Sequence, residues 1–466
     1  MSAAIAALRN GIPFRSRRAR TAGTNQPIEY QLILTATMCL VAFGVVMVFS
    51  ASSTTLLLGE NGDGAFYLKR TLMFGTIGIV GLRLLSGHGL VAVRRLTPIL
   101  LAGTFGLLLL TLVPGIGSSA NGAQRWIEVG PVQIQASEIA KVTLILYGAH
   151  LIAARPRLTE DLSSMAPYLL VSGTACGLIV IEPDLGTALI AAFSITALLI
   201  AAGAKLRHLV VLAGVLALFA LIAVLMEPYR AERLTSFLNP GSDLAGSGFQ
   251  GGQAAIALGS GGLFGTGLGE SVQKAFYLPE AHTDMIAAVI GEEIGLLGVS
   301  VLVGLYMIFG YAGFRTAQRA KDRYGRLLAA GLTAMILVQA TVNLYAVMGL
   351  APLTGVTLPF VSYGNSSLIV TLAAVGLLLN IASGGTAKLP SDGAPPRGGS
   401  SGRRGRLGGV EGAAAGRSGA RTQRAWGGRR RPVRTTSSGG SSAPRDYRGR
   451  RDGRPHSAGA RRRRRA

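Results

Sequence analysis

The stretch QLILTATMCLVAFGVVMVFS, residues 31–50, carries no charged side chain. At about 20 residues it is long enough to cross the hydrocarbon core of a bilayer as one helix. A run like this near the head of a chain is either a cleaved leader or a retained anchor. Arg15, Arg17, Arg18 and Arg20 before it, and Ser50-Ala51-Ser52 at its end, would suit a leader. Two features favour an anchor: the run exceeds the about 7–15 residues of a leader's apolar core, and more runs of the same kind follow. They lie near 69–86, 96–114, 137–154, 166–182, 185–203, 207–226, 285–313, 327–349 and 366–383. The second run of the series is the weakest, because Arg83 interrupts it. The expected fold is therefore an all-α integral membrane protein with ten transmembrane helices.

Composition agrees. A chain with 49% hydrophobic and 15% charged residues is too apolar for an ordinary soluble enzyme, yet its net charge is +24. The two properties are compatible only if they occupy different segments. Most of the positive charge falls beyond Gly384, in an Arg/Gly/Ser-rich stretch that includes GGRRRP (427–432) and RRRRR (461–465). Residues 384–466 show no apolar period and read as a disordered cytoplasmic tail. Its arginine clusters are expected to meet anionic lipid or an acidic cytoplasmic protein. Residues 1–29 read as a basic cytoplasmic segment and 30–383 as the membrane domain. Cys39 and Cys176 each sit in an apolar run and read as packing residues.

An even number of spans places both termini on one side, and basic residues crowd cytoplasmic loops. With the termini inside, the inner loops carry Arg94 and Arg95, Arg155 and Arg157, Lys205 and Arg207, then Arg315, Arg319, Lys321, Arg323 and Arg326. The outer loops collect Glu60, Asp63, Glu128, Glu182, Asp184, Glu227, Glu232, Asp243, Glu270 and Glu280. The large extracytoplasmic loop, about 227–284, then joins helices seven and eight.

Part of that loop, GSDLAGSGFQGGQAAIALGSGGLFGTGLG (241–269), is glycine-rich. It reads either as a connector or as backbone that must approach a ligand closely. No phosphate-cradling P-loop pattern is present. Arg125, Lys141, Arg230, Arg233 and Lys274 all fall on the outer side, against the positive-inside trend, which points to an anionic ligand such as a lipid diphosphate. Glu138 and Lys141, three apart at the start of a span, could instead simply pair. His282 and Asp284 stand where the loop enters the eighth run, with Glu292 and Glu293 deeper along it. Intramembrane carboxylates are functional by default, or form a buried pair that locks two helices. Asp284 differs, because at the water boundary a carboxylate can stay ionised.

The stretches MVFSAS (47–52), NGAQRWI (121–127), QASEIAK (135–141), EPDLGTA (182–188), RLTSFLNP (233–240), QAAIALGSGGLFGTGLG (253–269), YLPEAHTDMIAAVIGEEIGLLG (277–298) and PLTGVTLPFVSYGNSS (352–367) resemble, in order, the SEDS family of bacterial shape, elongation, division and sporulation proteins. SVQKAFYLPEAHTD is closer to the division members than to the elongation members. Ala136, Glu182 and Asn365 depart from the usual proline, glutamine and glycine.

The resemblance implies an inverting glycosyltransferase that polymerises lipid II at the outer face of the cytoplasmic membrane during septal wall synthesis. Its implied partners are a class B penicillin-binding protein and other divisome proteins. A sugar 4-hydroxyl attacks an anomeric carbon and a polyprenyl diphosphate leaves, so a base is needed but a general acid is not. By resemblance and position Asp284 is the expected base. Arg125, Glu138, Lys141, His282, Lys274 and Arg233 are the expected substrate-binding residues. Family analogy adds a divalent cation, magnesium or manganese, though no ligand cluster demands it. A lipid II flippase is the competing class, and the outer-face clustering favours the enzyme.

Overall fold

Every one of the apolar runs is a helix in the computed structural model, which describes residues 26–387 apart from 59–62, 88, 116, 121–122, 131, 240–245, 247 and 276. In chain order the helices are α1 (Ile28–Leu58), α2 (Phe66–Gly87), α3 (Leu90–Thr111), α4 (Ala136–Ala154), α5 (Leu162–Ile181), α6 (Leu185–Ala201), α7 (Leu206–Leu225), α8 (Pro228–Leu238), α9 (Phe249–Ser260), α10 (Ile286–Arg319), α11 (Arg323–Val347) and α12 (Asn365–Ala382). Among the described residues, eight are long and apolar enough to cross a membrane. The two remaining candidates are α2, which carries Lys69, Arg70 and Arg83, and α6, which is 17 residues long.

The core is built around α11 and α12. α12 lies along α2, and α11 packs against α10, α6 and α4. α7 stands at the other extreme, with only His208 and Ala223 buried. α1 is fastened to α10 at both ends. Near its start Glu29 accepts a hydrogen bond from Arg319 at 2.5 Å, with Arg315 at 3.8 Å. Further along, the Ser50 hydroxyl lies 2.7 and 2.6 Å from the two carboxylate oxygens of Glu293. From Glu29 to Ser50 an α-helix rises about 32 Å, close to the thickness of a bilayer's hydrocarbon core.

The all-α expectation needs one correction. A three-stranded antiparallel sheet, β1 (Gly117–Ala120), β2 (Ala123–Val129) and β3 (Val132–Gln135), stands between α3 and α4. Its pairing sets Trp126 opposite Gln135 and Ile127 opposite Ile134. β3 runs straight into α4, so the sheet orients that helix's first turn.

The eighth run is also not one uninterrupted helix. At Gly295, φ 74° and ψ −164° break α10. Two helical hydrogen bonds are lost there, and residues 262–267 replace them. The Leu296 and Leu297 amides donate to the Gly262 and Leu263 carbonyls, while Thr266 and Gly267 amides donate to the Glu292 and Glu293 carbonyls. This contact explains the glycines. A Cβ on Gly261 would lie 1.8 Å from the Gly291 carbonyl oxygen, and one on Gly265 2.1 Å from that of Glu293. The close backbone approach that the glycine-rich segment permits is therefore to α10 of the same chain. Nor is the segment a plain connector, because α8 and α9 lie within the long loop.

Residues 384–387, expected at the head of the tail, are still packed: Ala387 is buried and its carbonyl accepts from Arg94 at 2.7 Å. At the other end α1 already begins at Ile28, inside the expected N-terminal segment. The arginine clusters of the tail, and residues 1–25, lie outside the described residues.

Candidate functional site

Asp284 lies two residues before α10, and only 7% of it is exposed. A tight turn delivers it: the Thr283 and Met285 amides both donate to the Glu280 carbonyl at 3.1 and 3.3 Å. The Thr283 hydroxyl sits between the Glu280 carboxylate at 2.8 Å and Asp284 Oδ1 at 3.3 Å. Burial, then the nearby Glu280 charge, push the Asp284 carboxyl up to about 6, and Arg233 opposes them. A carboxylate with a pKa near the working pH can both take and release a proton, as a general base must.

α11 holds this turn in place. Asn343 Nδ2 donates to the Asp284 carbonyl at 2.8 Å and to the Val356 carbonyl at 2.7 Å. One helical turn away, Gln339 Nε2 donates to the Thr357 carbonyl at 3.0 Å. The same Gln339 offers Oε1 to Lys141 Nζ at 2.7 Å, and Lys141 also meets Glu138 Oε1 at 2.9 Å. Because Gln339 and Asn343 are four residues apart they share a helix face. Lys141, Glu138 and Asp284 thus hang on one polar ladder through a loop, 349–364, whose Gly355 lies beside Asp284.

His282 joins the other side. Its carbonyl accepts the Tyr363 amide at 2.9 Å, and its ring packs 4.3 Å from Tyr67 and 5.7 Å from Tyr363, centroid to centroid. Burial lowers its pKa, so it is neutral at neutral pH. Arg233, on α8, donates to the Leu353 carbonyl at 3.2 Å and stacks over Tyr229. Arg125, on β2 and half-buried, donates to the Pro183 carbonyl at 2.5 Å. Beside it Glu182 is fully buried against Thr111, and burial first, with Asp184 adding, pushes its pKa up to about 7. Asp184 caps α6 and accepts from Gln135 and Ser137, both at 3.0 Å, which ties the sheet to the same region.

Lys274 is placed elsewhere. Its ammonium is buried and lies 2.7 Å from Glu293 Oε1, 2.8 Å from the Gly269 carbonyl and 3.2 Å from Ser50. Glu292 accepts from the Ser271 hydroxyl and from the Val272 amide at 3.0 Å. Glu292 and Glu293 therefore fasten the 271–274 turn to α10 and α1, as the locking alternative anticipates. Among the expected site residues, Asp284, His282, Arg233, Glu138 and Lys141 are linked to one loop. Arg125 stands at the sheet beside it, and Lys274 is closed within a separate cluster. Gln339 and Asn343 were not anticipated, although two amides four apart in an otherwise apolar helix are themselves a signal.

A family model described as a cell cycle protein, covering FtsW, RodA and SpoVE, matches residues 30–386. The chain is 43% identical over 359 residues to a probable peptidoglycan glycosyltransferase FtsW of Trichlorobacter lovleyi, covering 76% of this chain and 94% of that one. It is 40% identical to stage V sporulation protein E of Bacillus subtilis, covering 75% and 96%. Among solved structures, a chain of a peptidoglycan synthase complex that coordinates polymerization and crosslinking superposes with a TM-score of 0.62 at 31% identity, covering 75% and 96%. The rod shape determining protein RodA of Thermus thermophilus gives 0.56 at 30% identity, covering 75% and 95%. The chain belongs to the FtsW/RodA/SpoVE family.

Proposed function

We propose that this protein is a peptidoglycan glycosyltransferase that polymerises lipid II at the outer face of the cytoplasmic membrane during septal wall synthesis, with Asp284 as its general base. The observation that carries the reading is Asp284 itself: a nearly buried carboxylate with a pKa near 6, held through its own carbonyl by α11, in a family whose named members include peptidoglycan glycosyltransferases.

The acceptor's 4-hydroxyl gives its proton to Asp284 as its oxygen bonds to the donor's anomeric carbon. The bond from that carbon to the diphosphate oxygen breaks on the opposite face, so configuration inverts. Polyprenyl diphosphate departs as an anion and needs no proton. Arg233 and Arg125 are the cations placed to meet it, since both are only partly buried. Lys141 is 2% exposed, and we assign Glu138 and Lys141 to holding the 349–364 loop against α4. His282, neutral and packed on Tyr67, shapes the wall beside Asp284. Lys274, expected to bind substrate, fixes the 271–274 turn instead.

Among the described residues no three His, Cys, Asp or Glu side chains converge to hold a metal. The described residues therefore offer no three-ligand cluster of their own for a metal ion. Asp284 is the carboxylate that would hold a magnesium or manganese ion brought with the substrate, and the ion would supply neutralisation of the leaving diphosphate's charge.

Ten spans with both termini inside is the topology this reading uses. Its partner is a class B penicillin-binding protein, in keeping with the synthase complex that the fold matches. The test is purified protein in vesicles with lipid II, alone and with its penicillin-binding partner. Glycan polymer is the expected product. Transfer of lipid II between leaflets without polymer would make the protein a transporter and overturn the proposal.

A further inference from the structure

From Leu244 to Gly269 the long outer loop has no charged residue at all. An ordinary water-exposed loop is seldom so uncharged. Nor are its large apolar side chains tucked away: Leu263 is 64% exposed, Phe264 79%, Leu268 61% and Val272 63%. They are not scattered. The Leu263 carbonyl accepts the Leu297 amide at 3.2 Å, and Leu296 and Leu297 are each 57% exposed. From there the exposed apolar face of α10 continues through Val301, Met307, Ile308 and Tyr311. The loop patch is thus an extension of a helix face that already meets lipid.

Depth can be read from the helix. Leu296 to Arg315 is about 28 Å of α-helix, which spans a hydrocarbon core of about 30 Å. With Arg315 and Arg319 at the inner boundary, the break at Gly295 falls at the outer one. Broken helices are tolerated at that level only where their freed backbone groups are satisfied internally. Residues 262–267 satisfy all four groups of this break, so the loop must reach the break's depth. Its side against α10 is glycine and backbone, and its large apolar side chains, Leu263, Phe264 and Leu268, face outward. Glu293 and Lys274 are paired and buried and Glu292 is turned inward onto the Ser271 hydroxyl and Val272 amide, while Glu270, whose amide donates to the Gly267 carbonyl, is the exposed charge that marks the segment's water-side edge.

We propose that residues 262–268 form a wedge in the outer leaflet, with Leu263, Phe264 and Leu268 in contact with lipid acyl chains. The wedge fixes the depth of the turn that follows it and, through residues 271–285, of Asp284 at the bilayer surface. This proposal rests on the membrane-spanning reading of the chain but not on its chemistry.

The test uses the full-length chain with Cys39→Ala and Cys176→Ala, in phosphatidylcholine and phosphatidylglycerol vesicles. A nitroxide is attached at Leu263→Cys, Phe264→Cys, Leu268→Cys or, as the water-facing control, Glu270→Cys. Collision with oxygen, which concentrates in acyl chains, is compared with collision with a water-soluble nickel chelate. The expected result is oxygen over nickel at 263, 264 and 268 and the reverse at 270. Nickel access at 264 equal to that at 270 would place the loop in water, and shielding from both would place a protein partner there. Either overturns the proposal. As a check independent of the label, Phe264→Trp, with Trp126→Phe and Trp426→Phe, should be quenched by lipids brominated high on the acyl chain, and absence of quenching counts against the wedge.

Discussion

Breaking the Lys274–Glu293 pair separates two roles for Lys274. The two charges lie 2.7 Å apart with side-chain exposures of 2% and 0%, and Ser50 adds hydrogen bonds to the carboxylate. Lys274→Met leaves the Glu293 charge buried with only a hydroxyl to answer it. Removing one partner of such a pair costs about 3–5 kcal/mol, which is roughly 10²- to 4 × 10³-fold in the ratio of folded to unfolded protein. Lys274→Met with Glu293→Gln removes both charges together and should recover most of that loss, because the desolvation cost disappears with the attraction. The assay is thermal denaturation of the purified single and double variants in detergent, beside a lipid II binding titration. Expected are a strongly lowered melting temperature for each single variant, near-recovery in the double, and lipid II affinity within a few-fold of the parent for folded double variant. A stable Lys274→Met protein that has lost lipid II binding would refute the structural role and return Lys274 to the substrate.

Other outcomes follow from the same geometry. The Asp284 pKa, raised to about 6, makes the base form dominant above that pH, so kcat/KM should fall tenfold per pH unit well below it. Glu280→Gln removes a charge that raises this pKa and should move the acid limb to lower pH, while Arg233→Ala removes one that lowers it and should move the limb up; a pH–rate profile of each reads the sign. Glu182, raised to about 7, favours its protonated form when folded, so its stability contribution falls as pH rises from the unfolded value through 7. Glu182→Gln should therefore melt higher than the parent at pH 8, with the gap closing below about pH 5. Gly265→Ala forces a positive-φ residue and a 2.1 Å contact with the Glu293 carbonyl, a cost of about 2–4 kcal/mol seen as lost folded yield, whereas Gly259→Ala, with open space around it, should be neutral or stabilising.

Much of the fold was legible because its signals are local. Uninterrupted apolar length marks a span, and all ten runs became helices, most within about four residues of their expected ends; the first continues eight residues further to Leu58, the third begins six earlier at Leu90 and the eighth continues six further to Arg319. The sheet escaped notice because its strands are short and polar, although VQIQ does alternate. The break in α10 was hidden for a different reason: a single glycine in IGEEIGLLG reads as helix, and only the distant 262–267 segment makes a break affordable. Charge on the outer face pointed to a region, but position alone could not distinguish Arg233, which meets the loop beside Asp284, from Lys274, which is spent on Glu293. Gln339 and Asn343 needed the three-dimensional arrangement, since their partners are backbone carbonyls that no side-chain pattern announces.

Asp284→Asn keeps the side chain's size and the backbone carbonyl that Asn343 holds, yet removes the basic oxygen. Purified with its penicillin-binding partner, this variant should bind lipid II as the parent does while glycan polymer falls by at least about 10²-fold, the usual contribution of a positioned base. Polymer formed by Asp284→Asn at near the parent's rate would contradict the assignment of Asp284 as the base.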